Sequence, residues 1–150
     1  MAAIEDMLGE LATQLNFNGL NYVVSLRLYR RPFSPGVGPA EYIAQALGST
    51  AVIGGSSPAT SPEILAEVEE ALRHAGAHGY GPCPATLGSG EFQELLQRLL
   101  SAIEQAATNA AVTARFSLKE GHPDYPVFWD FGFVIAGPYD ALVFIGSSSD

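Results

Sequence analysis

The sequence has little cysteine and no long hydrophobic run, and each shortage excludes a class of protein. Its single thiol, Cys83, excludes an intrachain disulfide framework. No apolar stretch approaches the roughly 20 residues that a membrane span needs. Glu5, Asp6 and Glu10 occupy the positions where a signal peptide would have its apolar run. We therefore expect a cytoplasmic protein.

Basic residues are also few, since 7 Lys and Arg stand against 16 Asp and Glu, for a formal net charge of −9 at pH 7. This charge repels phosphate backbones and anionic lipid surfaces, so we expect neither a nucleic acid nor a membrane as a partner. The same negative charge attracts a basic protein, or the basic entrance to the active site of an enzyme. Apolar residues make up 47% of the chain and charged residues 15%, which predicts one globular domain over residues 1–150.

Apolar residues at helical spacing predict three helices, over about residues 2–16, 60–76 and 91–107. The TSPE motif at the start of the second helix offers two caps: a capping box between its threonine and glutamate, or its serine followed by proline in the first helical position. The third helix has the longest apolar face, which comprises Phe92, Leu95, Leu96, Leu99, Leu100, Ile103 and Ala107.

Alternating apolar and polar residues predict about four strands. The first covers about residues 20–31, and the last forty residues hold three more, in the segments AVTARFSLK, PVFWDFGFVIA and ALVFIG. The turn residues of GPYD predict that the last two strands form a hairpin. Because strand-rich and helix-rich stretches are segregated, the expected fold class is α+β: a mainly antiparallel sheet of about four strands, with about three helices packed on one face.

Residues 32–60 lie outside this pattern and are rich in proline, glycine and serine. They contain one short helical candidate, AEYIAQAL, and one short apolar run, TAVIGG. Unstructured connections of this length are uncommon in compact domains. The segment is therefore either a long structured loop or a small excursion from the core, and the sequence leaves its role open.

The densest group of functional residue types is HPDYPVFWDF, residues 122–131. The alternation of a strand directs Trp129 and Phe131 into the core, and Phe128 and Asp130 to the reverse face. On that face Asp130 lies beside apolar neighbours, where a carboxylate needs a partner or water.

Arg27 or Arg115, on the polar faces of neighbouring strands, would supply that partner. One interpretation is a cross-strand ion pair on a half-exposed sheet face. The other is a recognition surface for a second protein, because arginine and aromatic residues concentrate binding energy at interfaces. The predicted partner-binding residues are Arg27, Tyr29, Arg31, Arg115, Phe128 and Asp130.

A catalytic alternative pairs His122 with Asp124 or Asp130, and with one of the many serines as a nucleophile. No serine lies in a G-x-S-x-G elbow between a strand and a helix. His122 and Asp124 are also too close in sequence to indicate how they are oriented. The sequence therefore predicts no catalytic residue, and a small hydrolase or transferase stays as the alternative.

Metal and nucleotide sites have little support. His74, His78 and Cys83 are candidate zinc ligands, but Gly76 interrupts the helix between the histidines, and a fourth ligand is not evident. The glycine-rich stretches PGVGP and VIGGSSPATS lack the phosphate-loop pattern, and Lys119, the only lysine, is far from both. We predict neither a metal nor a cofactor, and whether the two histidines and the cysteine converge is left open.

In its size, acidity and α+β pattern the chain resembles the small acidic immunity proteins of bacterial toxin systems. The resemblance extends over the whole chain and involves no diagnostic motif, so it implies no binding residues. What it implies is a non-catalytic protein-binding domain, an immunity-type inhibitor that occludes a basic toxin or enzyme.

Overall fold

The structure is a computed structural model that describes residues 3–150, and it has an α+β fold. Within these residues five strands form one antiparallel sheet in the order β1-β5-β4-β3-β2. The strands are β1 (Val23–Pro32), β2 (Val52–Pro58), β3 (Val112–Glu120), β4 (Trp129–Ala136) and β5 (Asp140–Ser149). The helices are α1 (Ile4–Asn16), α2 (Pro39–Leu47), α3 (Ser61–Leu72), α4 (Pro84–Leu87) and α5 (Gly90–Asn109). Residue 2 of the predicted first helix lies outside the described part of the chain.

The α+β class and the mainly antiparallel sheet are confirmed, but the numbers of strands and helices are wrong. The described residues form five strands and five helices, where about four and about three were expected. One strand and one helix, β2 and α2, come from residues 32–60. This segment carries the chain from one edge strand, β1, to the other, β2, and is a structured connection. The remaining helix is the single turn α4.

Helices α1, α3 and α5 pack on one face of the sheet, which we call the helix face. All seven residues of the predicted apolar stripe of α5 are buried. The predicted capping box starts α3: the Thr60 hydroxyl accepts from the Glu63 amide at 3.3 Å, and the Glu63 carboxylate accepts from the Thr60 amide at 3.0 Å. This helix ends at Leu72, short of the predicted Gly76. Each fully buried aliphatic or aromatic side chain in this layer contributes about 1.5–3 kcal/mol.

The opposite face of the sheet, the second face, is covered in part by α2. Tyr42 and Ile43 of this helix are almost completely buried against apolar residues of β3, β4 and β5. The expectation that the helices pack on one face only is therefore wrong. The apolar side of β3, with Phe116 and Leu118, faces α2 and not the three larger helices. Alternation in a strand shows that one side is covered, but not by which layer.

Three aromatic rings of β4 stack along the helix face. The ring centroids of Trp129 and Phe131 are 5.9 Å apart at an interplanar angle of 3°, and those of Phe131 and Phe133 are 5.5 Å apart at 26°. Phe131 lies over its cross-strand neighbour Gly146, where a Cβ atom would overlap the ring. The Trp129 indole N–H donates to the Tyr22 hydroxyl at 2.6 Å. Gly146 thus makes room for the aromatic stack.

Residues 121–127, which we call the strap, connect β3 to β4 across the end of the second face that α2 leaves open. Asp124 holds the strap in place. Its carboxylate accepts from the Ser25 hydroxyl at 2.7 Å and from Arg27 Nε at 2.5 Å, and its carbonyl accepts from the Ser147 hydroxyl at 3.2 Å. The second face is therefore covered by α2 at one end and by the strap at the other.

Candidate functional site

Four of the six predicted partner-binding residues lie on the second face, but they are largely occupied by other contacts. Tyr29 is half-buried against the apolar cluster beneath α2. The Arg31 guanidinium donates to the Gln45 carbonyl at 3.3 and 3.4 Å, at the end of α2. Arg27 is held by the strap, which leaves Asp130 as the freely exposed member of this group.

The other two predicted residues lie on the helix face. The Arg115 guanidinium lies 3.4 Å from a carboxylate oxygen of Glu63 and 3.5 Å from one of Glu67, both on α3. The centroid of the Phe128 ring lies 5.7 Å from that of Tyr22. Phe128 precedes β4, which begins at Trp129, so the alternation of a strand does not determine the direction of its side chain. The six residues therefore do not form the single recognition surface that the sequence predicted.

The predicted ion pair between Asp130 and an arginine is wrong. Asp130 forms no salt bridge with any residue between positions 3 and 150. Arg27 pairs with Asp124, because the strap brings that carboxylate across β1, and Arg115 pairs with α3 from the opposite face. Asp130 is exposed, so its carboxylate needs no partner within the protein.

The geometry around His122 gives little support to the catalytic alternative. Nδ1 of His122 accepts a hydrogen bond from the Asp124 backbone amide at 3.0 Å. In the neutral imidazole the proton is then on Nε2, whereas a Ser-His-Asp triad needs Nδ1–H directed at a carboxylate and Nε2 free to accept. The carboxylate of Asp124 is occupied by Ser25 and Arg27.

Two groups of the strap have shifted pKa values. Burial lowers the pKa of His122, an effect larger than the opposing attraction of the Asp130 and Asp124 carboxylates. The hydrogen bond from Arg27 is the largest cause of a lowered pKa at Asp124, and the bond from Ser25 acts in the same direction. At neutral pH the strap therefore carries a neutral imidazole and an ionised aspartate.

A polar cleft opens where β3 and β4 separate. The two strands pair only as far as Arg115 and Phe133, and beyond this point the Phe116 ring lies over Gly132, whose Cβ position is 2.9 Å from ring atoms. The cleft has a volume of about 470 Å³. Towards His122 it narrows to a crevice without room for a water molecule. Its polar lining residues are Ser56, Ser57, Glu67, Arg115, Ser117 and Asp130.

Four large apolar side chains are exposed at the end of the sheet where β5 finishes and β4 starts. Their exposed fractions are 62% for Leu20, 51% for Val23, 43% for Tyr80 and 49% for Val127. We call these four residues, together with the half-buried Phe128, the apolar end. Tyr125, in the strap, is 82% exposed and only two positions before Val127.

Short contacts hold the residues of the apolar end close together. The Tyr80 ring stacks on Phe128, with centroids 5.4 Å apart and an interplanar angle of 13°. Leu20 exchanges two backbone hydrogen bonds with Gly81, the residue after Tyr80. The Val127 amide donates to the Ser148 carbonyl, and Val23 pairs with the next residue of β5. The apolar end is thus built from three loops and an edge strand that backbone hydrogen bonds and one aromatic stack hold at the same end of the sheet.

Only Phe128 of this region was among the predicted partner-binding residues. Val127 belongs to the segment predicted as a strand, PVFWDFGFVIA, but it precedes the start of β4 and is exposed. Leu20 and Tyr80 each lie beside glycines, in the stretches NGL and HGYG. A large apolar residue in a glycine-rich loop is the signal that would have indicated them, since loops run over the surface.

The larger concavity of about 790 Å³ beside α5 is a weaker candidate. Almost all of its lining side chains come from the outer surface of α5, among them Glu94, Arg98 and Glu104. Charged and polar residues that follow one another along the outer surface of a single helix are typical of a solvated face.

The described residues do not include a group of three or more His, Cys, Asp or Glu side chains placed to hold a metal ion. His78 is exposed, while His74 is half-buried with its ring stacked near Tyr22 at a centroid distance of 6.3 Å. Cys83 directly precedes the short helix α4 and makes no capping hydrogen bond with its side chain. The two histidines and the cysteine thus belong to different local structures.

Negative charge is concentrated on the helix layer. Helices α1, α3 and α5, together with Arg73, which directly follows α3, carry ten acidic residues and two arginines, so they account for eight of the nine net negative charges of the chain. The acidic residues are Glu5, Asp6, Glu10, Glu63, Glu67, Glu69, Glu70, Glu91, Glu94 and Glu104. The sheet, α2 and the loops are close to neutral in sum.

Comparisons of the chain with protein-family models, curated proteins and solved structures found no significant match. Over residues 3–150, the helices all fall short of the length and apolar character that crossing a bilayer requires.

Proposed function

We propose that this chain is a non-catalytic protein-binding domain, an immunity-type inhibitor that uses the apolar end to occlude a basic partner protein. The observation that carries the proposal is the exposure of Leu20, Val23, Tyr80 and Val127 in one region. Contiguous apolar patches on soluble proteins mark interaction sites, whereas single exposed apolar residues need no explanation.

The composition of the apolar end suits a protein partner. Tyr80 stacks on Phe128, which is supported from below by Tyr22. Aromatic rings that are rigidly supported, with aliphatic residues around them, are the usual centres of binding energy in interfaces. Such residues lose little conformational entropy on binding because their positions are already fixed.

The distribution of charge supports a basic partner. The helix layer carries eight of the nine net negative charges, and it adjoins the apolar end, where α1 and α3 finish. Charge of one sign on one side of a molecule steers an oppositely charged protein and raises the association rate. A basic toxin or enzyme would be oriented by the helix layer and held by the apolar end.

A site-specific photo-crosslinking experiment in the source cells tests this proposal. Tyr80 is replaced by benzoylphenylalanine, and Tyr139 is replaced in a matched control. Tyr139 is 86% exposed and lies in the turn between β4 and β5, at the opposite end of the sheet. We expect a discrete adduct with a basic protein from position 80 and none from position 139. Leu20→Ser should abolish the adduct without unfolding the protein, because Leu20 is exposed.

The absence of an adduct at position 80 would contradict the proposal. So would equal adducts at both positions, or a captured protein that is acidic.

A further inference from the structure

The two edge strands of the sheet differ in how their outward backbone groups are occupied. On β1 the Asn16 side-chain amide donates to the Val24 carbonyl at 3.1 Å and accepts from the Val24 amide at 2.7 Å. The Arg30 carbonyl accepts from the Arg31 guanidinium at 2.7 Å, and Pro32 has no N–H to offer. Charged side chains and proline on an edge are common protections against pairing with another chain. The edge at β1 is therefore blocked at both ends.

The outer edge of β2, the side that faces away from β3, lacks this occupation. Among residues 3–150 only β3 pairs with β2, and no other backbone group bonds to residues 54–58, which are all exposed and uncharged. The Ala59 amide donates to the Thr113 carbonyl at 3.2 Å, which fixes the direction of the alternate residues. The amide and carbonyl of Ser57 therefore face β3, and those of Ser56 face outward. Ser56 thus offers an N–H and a C=O to an added strand.

Two features limit the length of strand that this edge can take. The pairing of β2 with β3 shifts register between Ile53 and Gly55, and Pro58, whose nitrogen faces outward, has no N–H. Between them lie Gly55, Ser56 and Ser57, whose small side chains leave the backbone accessible. The outer edge of β2 therefore fits a short extended segment and not an open-ended stack of strands.

The charges beside this edge favour a basic segment. Ser57 lies next to Arg115 in the register of β2 and β3, on the helix face. The Arg115 guanidinium serves two partly exposed carboxylates, those of Glu63 and Glu67, at 3.4 and 3.5 Å. A residue of an added strand opposite Ser57 would lie about 5 Å beyond it, so a long basic side chain there can extend over the small serine towards α3. Such a side chain supplies a second cation, whereas an acidic one would be repelled.

A second copy of this chain fits the edge less well. Antiparallel pairing of β2 with β2 of another copy about a two-fold axis would place both α3 helices on the same side of one continuous sheet. Each α3 carries four acidic residues and no basic residue: Glu63, Glu67, Glu69 and Glu70. The two helices would repel each other, so the edge favours a segment of opposite charge.

We propose that the outer edge of β2 binds a short extended segment of the basic partner by antiparallel strand addition, with Ser56 forming the backbone hydrogen bonds and Glu63 and Glu67 contacting a basic side chain. In this mode of recognition main-chain bonds give affinity and alternate side chains give specificity. This inference rests on the proposed function for the identity of the partner. The chemistry of the edge is independent of that function.

Chemical-shift titration of the full chain by NMR tests the edge with short peptides. The first is acetyl-Thr-Arg-Thr-Arg-Thr-amide, whose arginines share one face of an extended strand. The second has glutamate in place of both arginines. We expect the arginine peptide to saturate with a dissociation constant of roughly millimolar size, because it makes only a few contacts. Shifts should be centred on Gly55, Ser56 and Ser57. The glutamate peptide should bind at least about ten-fold more weakly.

Two N-methylated forms of the arginine peptide separate backbone pairing from charge attraction. With the arginines on the helix face, the N–H of the central threonine is directed at Ser56 and the N–H of each arginine is directed at solvent. Methylation of the threonine nitrogen removes a hydrogen bond and puts a methyl group between the strands, so affinity should fall at least about ten-fold. Methylation of one arginine nitrogen keeps the charge and adds the same methyl group. This control should bind within about three-fold of the parent peptide.

Ser56→Pro and Glu67→Gln are the matched variants. Ser56→Pro removes only an outward N–H, as Pro58 does two positions later, so β2 still pairs with β3 and the arginine peptide should lose at least about ten-fold in affinity. Glu67→Gln should weaken the peptide about three-fold, as expected for a partly exposed ion pair. Glu10→Gln in α1, which packs beside β1, removes the same charge from the helix layer and should leave the affinity within about two-fold.

The absence of a saturable shift in β2 would overturn the inference, as would equal binding of the two N-methylated peptides or of the arginine and glutamate peptides. Line broadening of residues 54–58 that grows with protein concentration in the absence of peptide would show a second copy at this edge, and would overturn it as well. These results would leave the crosslink at position 80 untouched, so failure of the edge and failure of the proposed function are distinguishable.

Discussion

Gly146→Ala tests how the sheet is packed. In the structure Phe131 is 5% exposed and lies over Gly146, between the rings of Trp129 and Phe133. A methyl group at position 146 would overlap three atoms of the Phe131 ring. The stacked rings of Trp129 and Phe133 on either side restrict how far the Phe131 ring can shift to avoid it.

The expected loss of stability follows from the two ways in which the overlap can be relieved. Strained repacking of a full core costs about 1–3 kcal/mol. Expulsion of the ring approaches the loss of about 3–5 kcal/mol measured for Phe→Ala substitutions. We therefore expect Gly146→Ala to lower the free energy of unfolding by at least about 1 kcal/mol, and the melting temperature by at least about 2–4 °C at the scale of about 2–4 °C per kcal/mol for chains of this size.

Urea unfolding followed by the fluorescence of Trp129, the only tryptophan, measures this effect. Near-UV circular dichroism reports the same stack directly. Gly9→Ala in α1 is the control: its Cβ would meet no atom within 4 Å, so it should stabilise the protein by about 0.5–1 kcal/mol. A Gly146→Ala variant as stable as the wild type, with an unchanged near-UV spectrum, would refute the packing described for β4 and β5.

Two further predictions concern the strap. Burial lowers the pKa of His122 below its usual 6.5, so as the pH falls the unfolded chain binds this proton before the folded chain does. The contribution of the neutral His122 imidazole to the free energy of unfolding is therefore complete above about pH 6.5 and is lost as the pH falls to the lowered pKa. His122→Gln should flatten the dependence of the unfolding free energy on pH in this window, and an unchanged slope would contradict the assignment. Asp124→Asn should lower the free energy of unfolding by about 1 kcal/mol, because the bonds of the Asp124 carboxylate to Ser25 and Arg27 are only partly shielded from water. Amide hydrogen exchange should accelerate in residues 121–127 and not in α5. Uniform acceleration over the whole chain would argue against a local role of Asp124.

Much of the helix layer could be predicted from the sequence. The stripe of α5 and the capping box of α3 are local patterns, and each follows from spacing alone. The hairpin of β4 and β5 was indicated by the turn residues of GPYD and is present. These elements were predictable because their signals lie within a few residues of one another.

The site could not be predicted in the same way, because it depends on which layer covers each face. The alternation of apolar and polar residues in β3 was predicted correctly. Its apolar side faces α2, however, so Arg115 lies on the helix face. The hydrogen bond between Asp124 and Arg27 of β1 joins residues that are almost one hundred positions apart in the sequence. The exposure of Leu20 and Tyr80 likewise depends on loops that meet only in the folded chain.

The most direct test of the proposed function uses the crosslinked partner once it has been isolated. Isothermal titration calorimetry measures its affinity for the Tyr80→Ala variant and for the Tyr139→Ala variant. If the apolar end is the binding site, Tyr80→Ala should weaken binding by about 2 kcal/mol, roughly thirty-fold, and Tyr139→Ala should stay within two-fold of the wild type. Equal affinities for the two variants would contradict the proposal.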